Sequence, residues 1–365
     1  MSRADRLARV RARLAELELD ALLLSLGADL PWLTDYTAMA LERLTMLVVP
    51  ADGDATLVVP RLEAPRVAPR PELFDLRPWD ETDDPVALAA GLVGPRRRRL
   101  AVSDRTWATF VLQLQARLPG VAWSAASVVT GPLRAVKDAA EVVALRRASA
   151  AADRVAAQLL AGAVPLVGRT EAEVSADLGR RLLAEGHQRV NFAIVGSGPN
   201  SASPHHEPGA RVVGPGEAVV CDFGGTLDGY CSDITRTVFT GSPPAEFRHL
   251  YAVLQDAQAS AVAAARVGTP CEDVDGVARR IIDEGGYGPH FIHRTGHGIG
   301  MEEHEDPYLV GGNCEALAPG HAFSVEPGIY LDGRWGARIE DIVVAAAAGP
   351  ESLNTVSHDL VVVEV

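Results

Sequence analysis

The chain has 365 residues, 47% hydrophobic and 22% charged, the balance of an ordinary globular protein with length for two domains. Acidic residues outnumber basic ones 48 to 34, a formal charge of −14. That argues against nucleic acid or an anionic membrane surface as the main partner, since both demand a basic face. No apolar run approaches the roughly 18 residues of a membrane span. The four cysteines (Cys221, Cys231, Cys271, Cys314) show neither a CxxC pair nor zinc-type spacing, and read as reduced thiols of a cytoplasmic protein.

In chain order, residues 3–18 form a charged amphipathic helix pattern without the apolar stretch or cleavage site of a signal peptide. A short apolar run at 21–26 reads as a buried strand. Segments 44–49 and 55–59 flank an Asp52-Gly53 turn signal and read as a hairpin. Residues 100–102, followed by a helical pattern to Leu118, read as a strand–helix unit. Ser, Thr, Gly and Pro cluster over 124–138, before a long helix that begins near Lys137. This divides the chain into a supporting N-terminal α/β domain, 1–130, and a second domain, 131–365. All ten histidines lie at or after His187, so the chemistry is expected in the second domain.

The second domain repeats itself. Residues 167–186 and 267–285 share the pattern V-G…R-R-(L/I)-(L/I)-x-E-G, and Thr170-x-x-Glu173 is a capping box, predicting helices over 171–185 and 271–284. Residues 215–229 and 319–333 match at a constant offset of 104, which places Asp222 on Glu326 and Asp228 on Asp332. Further on, Asp233 aligns with Glu340 after a short insertion. A duplicated helix–strand–hairpin unit builds a pseudo-twofold domain whose cleft is expected where the halves meet.

The aligned acidic residues are the candidate site. A two-residue turn at Asp228-Gly229 pairs residue 227 with 230 and 224 with 233, putting Asp222 and Asp233 on one strand face. Two close carboxylates repel, and a cation between them removes that cost. For Glu326 and Glu340 a two-residue turn fails, because it pairs Glu340 with residue 325. A wider loop or bulge around Trp335-Gly336 is expected to restore the face. His297, flanked by Gly296 and Gly298, is the candidate nitrogen ligand. Two Asp, two Glu and one His are too carboxylate-rich for structural zinc. They suit two divalent ions of the Mn, Co, Fe or Zn series with a bridging water. Cys221 and Cys231 read as packing residues, and His187, His249, His290, His321 and His358 as surface or structural.

These motifs resemble a known family. Asp222-Phe-Gly-Gly, Ser232-Asp233-Ile-Thr-Arg-Thr, His293-Arg-Thr-Gly-His297-Gly-Ile-Gly, His304-Glu-Asp-Pro307, Glu326-Pro-Gly-Ile-Tyr330 and Arg338-Ile-Glu340-Asp are similar to the pita-bread metallopeptidases, closest to the Xaa-Pro dipeptidases (prolidases) and Xaa-Pro aminopeptidases. Residues 1–130 resemble the creatinase-type N-terminal domain. The resemblance implies an α/β (α+β) fold and a homodimer. It implies a dinuclear site, manganese foremost, with Asp222 on one metal, Asp233 and Glu340 bridging both, and His297 and Glu326 completing the second. It gives His205 a role near the leaving amine, with neighbouring His206 as an alternative, and His304 one at the oxyanion. His293 and Arg338 become substrate-positioning groups. Glu326 would relay a proton after a metal-bridging hydroxide attacks the carbonyl of an Xaa-Pro bond. Arg338, Arg334 and His206 are candidates for reading a dipeptide's free carboxylate. Competing readings are a creatinase-like amidinohydrolase or lyase, and a non-catalytic binding module. Both are expected to have lost ligands, whereas all five stand here.

Overall fold

Ser2 opens the first helix, Arg3–Glu16, by accepting the backbone N–H of Asp5 on its hydroxyl, while the Asp5 carboxylate accepts from the Ser2 N–H. The computed structural model describes residues 1–363. Contacts separate them into two units, Met1–Arg134 and Ala135–Val365. The first unit is a six-stranded mixed sheet with helices. Its central strand Ala21–Leu24 pairs antiparallel with Met46–Pro50 and parallel with Arg99–Val102. Met46–Pro50 and Thr56–Pro60 form the expected hairpin. Leu22, Leu23, Val48 and Val58 lose all solvent contact, each such burial being favourable by roughly 1.5–3 kcal/mol. The strand Arg99–Val102 leads on to the helix Ala108–Arg117, as the apolar pattern anticipates.

The second unit begins with the helix Ala139–Leu160. Its cap repeats the chemistry of the first: Asp138 accepts from Glu141 N–H and Glu141 accepts from Asp138 N–H. The duplicated segments fold as matched pairs. The helix Glu171–Ala184 starts at the Thr170 capping box, and Cys271–Glu284 is its counterpart. Each half contributes one five-stranded sheet. In the first sheet the order is Val361–Val363, Ile234–Thr240, Ala218–Leu227, Arg189–Ser197, with Tyr230–Cys231 added on Ala218–Leu227. In the second it is Glu305–Leu309, Gly296–Gly298, Ala322–Val325, Asp341–Ala346, Gly349–Ser352.

Each sheet buries one face under its own helices. Val174, Leu178 and Leu182 pack on Val195, Cys221, Phe223 and Val238 in the first half. Val274, Ala278 and Ile282 share a core with Phe239, Phe247 and Phe323 in the second. Cys221 and Cys231 are both fully buried among apolar residues, which is the packing role their strand positions suggest. All four cysteines are free. Among the described residues no helix is long and apolar enough to cross a membrane. The two sheets meet at one antiparallel bridge, Thr235 with Glu340, where Glu340 N–H donates to the Thr235 carbonyl at 3.2 Å. That seam is where the acidic residues converge.

Candidate metal centre

The Asp228-Gly229 turn has both residues in the left-handed region, φ 51° and 83°, the type I′ geometry that matches strand twist. It sets Leu227 opposite Tyr230, Thr226 opposite Cys231 and Phe223 opposite Ile234, so Asp222 faces Thr235. Asp233 falls two positions nearer the turn, on the same face as Asp222. The register expected for this pair is the register found.

The second hairpin differs in one respect. Leu331 pairs with Trp335 and Gly328 with Arg338, leaving Asp332, Gly333 and Arg334 as a three-residue loop. Only Gly333 is left-handed there, φ 69°. The widening expected around Trp335-Gly336 therefore lies earlier in the chain, and both of those residues are in the strand Trp335–Arg338. Beyond it Val325 pairs with Asp341, and the same count sets Glu326 opposite Glu340. Trp335 is a packing residue, edge-on to Phe247 at 5.8 Å.

His297 sits on the short strand Gly296–Gly298 between two points of close backbone approach. A Cβ at Gly296 would strike the Ser324 carbonyl, and one at Gly298 the Asp306 carbonyl. The His297 N–H donates to Ser324 Oγ at 3.0 Å, and Ser324 donates in turn to Glu326 Oε1 at 3.0 Å. His297 Nδ1 lies 3.0 Å from the Gly298 carbonyl. That contact fixes the ring with Nε2 facing the carboxylates, 3.2 Å from Glu326 Oε1 and 3.8 Å from Asp233 Oδ2. Gly298→Ala is expected to lower Tm and weaken divalent-metal binding by about tenfold or more, read by thermal unfolding and calorimetric metal titration; unchanged affinity would refute the constraint.

Asp233, His297 and Glu340 are all buried, and each offers a ligand atom within 4.8 Å of the others. Asp222 and Glu326 border them. Asp222 Oδ1, Asp233 Oδ1 and Glu340 Oε1 are buried without any hydrogen-bond partner. Burial, then the charges of Glu340 and Asp222, push the Asp233 carboxyl well above its usual range. Burial, then Glu326 and Asp222, do the same to Glu340. Burial raises Asp222 too, against the opposing pull of Arg338. Burial would also raise Glu326, but the hydrogen bond and charge of His297, with His293 and Arg338, hold it well below the usual carboxylate range. Buried acceptor oxygens with no donor are the complement of a cation. The donor set, four carboxylates and one imidazole, fits a divalent ion.

Around this cluster lies a cavity of about 470 Å³, whose wall includes His205, His293, Arg294, Glu303, His304 and Arg338 as well as the five candidate ligands. His205 is on that wall. His206 is not: its Nε2 pairs with the buried Glu171 Oε2 at 2.7 Å. Arg334 also lies elsewhere, exposed and paired with Glu246 at 2.7 Å, so neither His206 nor Arg334 lines the cavity as a carboxylate reader would. Arg338 is nearly inaccessible, donating to Asp222, to Thr235 Oγ1 at 3.1 Å and to Tyr330 Oη at 2.8 Å. His293 Nε2 reaches the same Tyr330 oxygen at 2.9 Å, and burial lowers the His293 pKa. Tyr330, which by sequence is as readily a mere packing residue, holds both groups, its phenol pushed up to about 12 by burial. The His304 ring lies against His297, tilted by 37° with centroids 3.8 Å apart, and burial, with His297 and Arg294, lowers its pKa to about 4.

Two further carboxylates were not singled out by sequence. Glu171 accepts from Ser197 N–H and Oγ–H, both at 2.8 Å, and from Asn200, fastening the loop that carries His205. Asp275 accepts from Thr295 N–H at 2.9 Å and its hydroxyl at 2.8 Å, fastening the loop before His297. Each stands on the matched helix of its half, at different positions of the repeat: Glu171 aligns with Cys271, and Asp275 with Ser175. The only sequence signal was an acidic residue on an otherwise apolar helix face. His187, His321 and His358 are structural, as expected. His187 Nε2 meets Ser232 Oγ at 2.8 Å, and His358 pairs with Asp341 at 2.6 Å.

Residues 143–347 match metallopeptidase family M24, and residues 6–136 match the creatinase/prolidase N-terminal domain. The chain belongs to metallopeptidase family M24. It is 46% identical to the probable dipeptidase PepE of Mycobacterium tuberculosis, over 99% of this chain and 97% of that one. The crystal structure of dipeptidase PepE from Mycobacterium ulcerans superposes with a TM-score of 0.93 at 45% identity, covering 100% and 98% of the two chains. A recombinant prolidase from Thermococcus sibiricus also superposes at 0.93, with 33% identity and 99% of each chain covered. As an M24 protein the chain is a metallopeptidase hydrolase, and its architecture is the creatinase-type N-terminal domain followed by the pita-bread catalytic domain. The family uses divalent metals, and its peptidase members act on peptides.

Proposed function

We propose that this M24 protein hydrolyses the bond between an N-terminal residue and proline, using two divalent ions held by Asp222, Asp233, His297, Glu326 and Glu340. The observation that carries this reading is the set of three buried, partnerless carboxylate oxygens in a cavity whose wall also holds His297. Asp233 and Glu340 stand on the seam between the two sheets and would hold the ions from both halves. Manganese is the first choice, with cobalt, zinc or iron as alternatives from the same oxygen-and-imidazole preference. Bound there, the ions supply an acidified water and a Lewis-acid pull on the peptide carbonyl.

The chain's own groups do the rest. Arg294 donates to His304 Nδ1 at 3.3 Å, which leaves His304 Nε2 as the N–H that steadies charge developing on the carbonyl oxygen. Glu326, kept ionised by His297 and Arg338, takes a proton and passes it to the departing nitrogen. His205 stands on the wall beside Pro204 for the leaving amine. His293 and Arg338 line the cavity and meet the substrate from positions fixed by Tyr330. Proline's ring needs an apolar berth, and Phe192, Ile194 and Val310 on the wall are suited to it. The homodimer implied by the family belongs to the same proposal.

The test compares Ala-Pro with Ala-Pro-Ala after chelation and re-addition of Mn, Co or Zn in turn. Metal-restored cleavage of at least one peptide, absent from the chelated protein, is expected. No turnover of either with any of the three ions would defeat the reading.

A further inference from the structure

Two charged side chains on the cavity wall, Arg294 and Glu303, have no oppositely charged partner among the described residues, and the only role given to either above is the contact of Arg294 with His304 Nδ1. Arg294 lies with its guanidinium 4.5 Å over the Tyr308 ring and touches His304, yet among the described residues it has no carboxylate partner. Arg338, the other cation of the wall, is fully engaged by Asp222, Thr235 and Tyr330. Glu303 is half-buried on the same wall and, among the described residues, has neither an ion pair nor a hydrogen bond. The other four carboxylates of the wall belong to the metal cluster. An unpaired cation and an unpaired anion in a half-enclosed cavity each carry a desolvation cost that a ligand of opposite charge relieves.

Their placement says which ligand. Arg294 touches His304, the imidazole assigned to the scissile carbonyl, and Glu303, its neighbour in the chain, lines the same cavity. An unblocked dipeptide carries its ammonium on one side of that carbonyl and its carboxylate on the other, each within about one residue's span, ~3.6 Å. A longer peptide keeps the ammonium and carries its carboxylate farther away. We propose that Arg294 and Glu303 read the two charged ends of a dipeptide, Arg294 the carboxylate and Glu303 the ammonium, so that the cavity selects dipeptides over longer chains. The inference rests on the peptidase reading above and adds the length selection to it.

The experiment compares Ala-Pro with Ala-Pro-amide, which differs only in the terminal charge, using metal-loaded protein for kcat/KM and chelated protein for calorimetric binding. The wild type is expected to prefer the acid by about thirtyfold or more, the size of losing one partner of a desolvated charge pair. In Arg294→Met that preference collapses to about threefold or less, and Arg294→Lys recovers part of it. Glu303→Gln raises KM for Ala-Pro by about tenfold while keeping the acid-over-amide ratio. If Arg294 only held His304 in place, Arg294→Met would slow both peptides equally and keep the ratio, which would overturn the proposal. A wild type that treats acid and amide alike would overturn it too. If the wild type cleaves neither peptide, the peptidase reading falls. A calorimetric preference for Ala-Pro that Arg294→Met abolishes would then still uphold the charge recognition, and equal binding of the two would overturn it.

Discussion

Asp233→Asn is expected to reduce turnover by roughly 10³-fold or more and, in the chelated protein, to raise Tm. Both effects come from one cause. Asp233 is buried against Glu340 and Asp222, and its Oδ1 has no donor. The amide could not balance a cation held between the halves, so under the proposed reading the site would lose one of its charges. Without metal, the aspartate is a liability. Its folded pKa is raised above the unfolded value of about 3.9, so its contribution favours folding below that value and is lost as pH rises through the folded pKa. Asparagine carries no such penalty. The Tm advantage of the variant should therefore be small at pH 5 and larger at pH 8. Each unit of pKa elevation corresponds to about 1.4 kcal/mol, or about 3–6 °C for a unit of this size. Divalent metal should reverse the order, raising Tm of the wild type and not of the variant. Scanning calorimetry with chelator and with Mn at both pH values checks this, and a fully active Asp233→Asn would refute the bridging assignment.

Arg338→Met is expected to have the largest effect on stability. The arginine is 2% exposed and donates to Asp222, Thr235 and Tyr330. It is the cation that faces Asp222, Glu326 and Glu340 together, and against the cost of burial Tyr330, then those carboxylates, raise its own pKa well above the ordinary value. Removing one partner of a buried ionic group costs about 3–5 kcal/mol, read as a fall of roughly 10 °C in Tm. Added Mn should recover part of the loss, because the ion replaces missing positive charge. A variant as stable as the wild type in chelator would show that the carboxylates are neutral in the folded protein.

The acidic pairs were legible because strands have period two. Asp222 and Asp233 lie an odd number of residues apart across a two-residue Asp-Gly turn, and that arithmetic has one outcome. Glu326 and Glu340 required a different loop, and the same Asp-Gly signature at 332–333 gave no hint of it. Arg334 completes that loop because only Gly333 takes a left-handed conformation. Tyr330 was opaque for another reason. A tyrosine between apolar neighbours reads as core whether or not its hydroxyl has partners, and here those partners are His293 and Arg338, 37 and 8 residues away. Glu171 and Asp275 were hidden likewise, since what they hold lies 26 and 20 residues on. Arg294 stood inside one of the quoted motifs and Glu303 between two of them, and neither was singled out until the wall of the cavity grouped them.

The Thr235–Glu340 bridge has a consequence for how such a protein could arise and be altered. Either half, taken singly, owns no more than a pair of repelling acids, and the imidazole belongs to only one of them. Catalytic capacity is thus a property of the joined duplicate and cannot be inherited piecemeal. Lengthening either tight loop by a single residue would rotate an acid out of the shared face, whereas extra residues remote from the seam leave the count intact. Natural variation in length should accumulate away from these two loops, and an engineer seeking insertion points should avoid them.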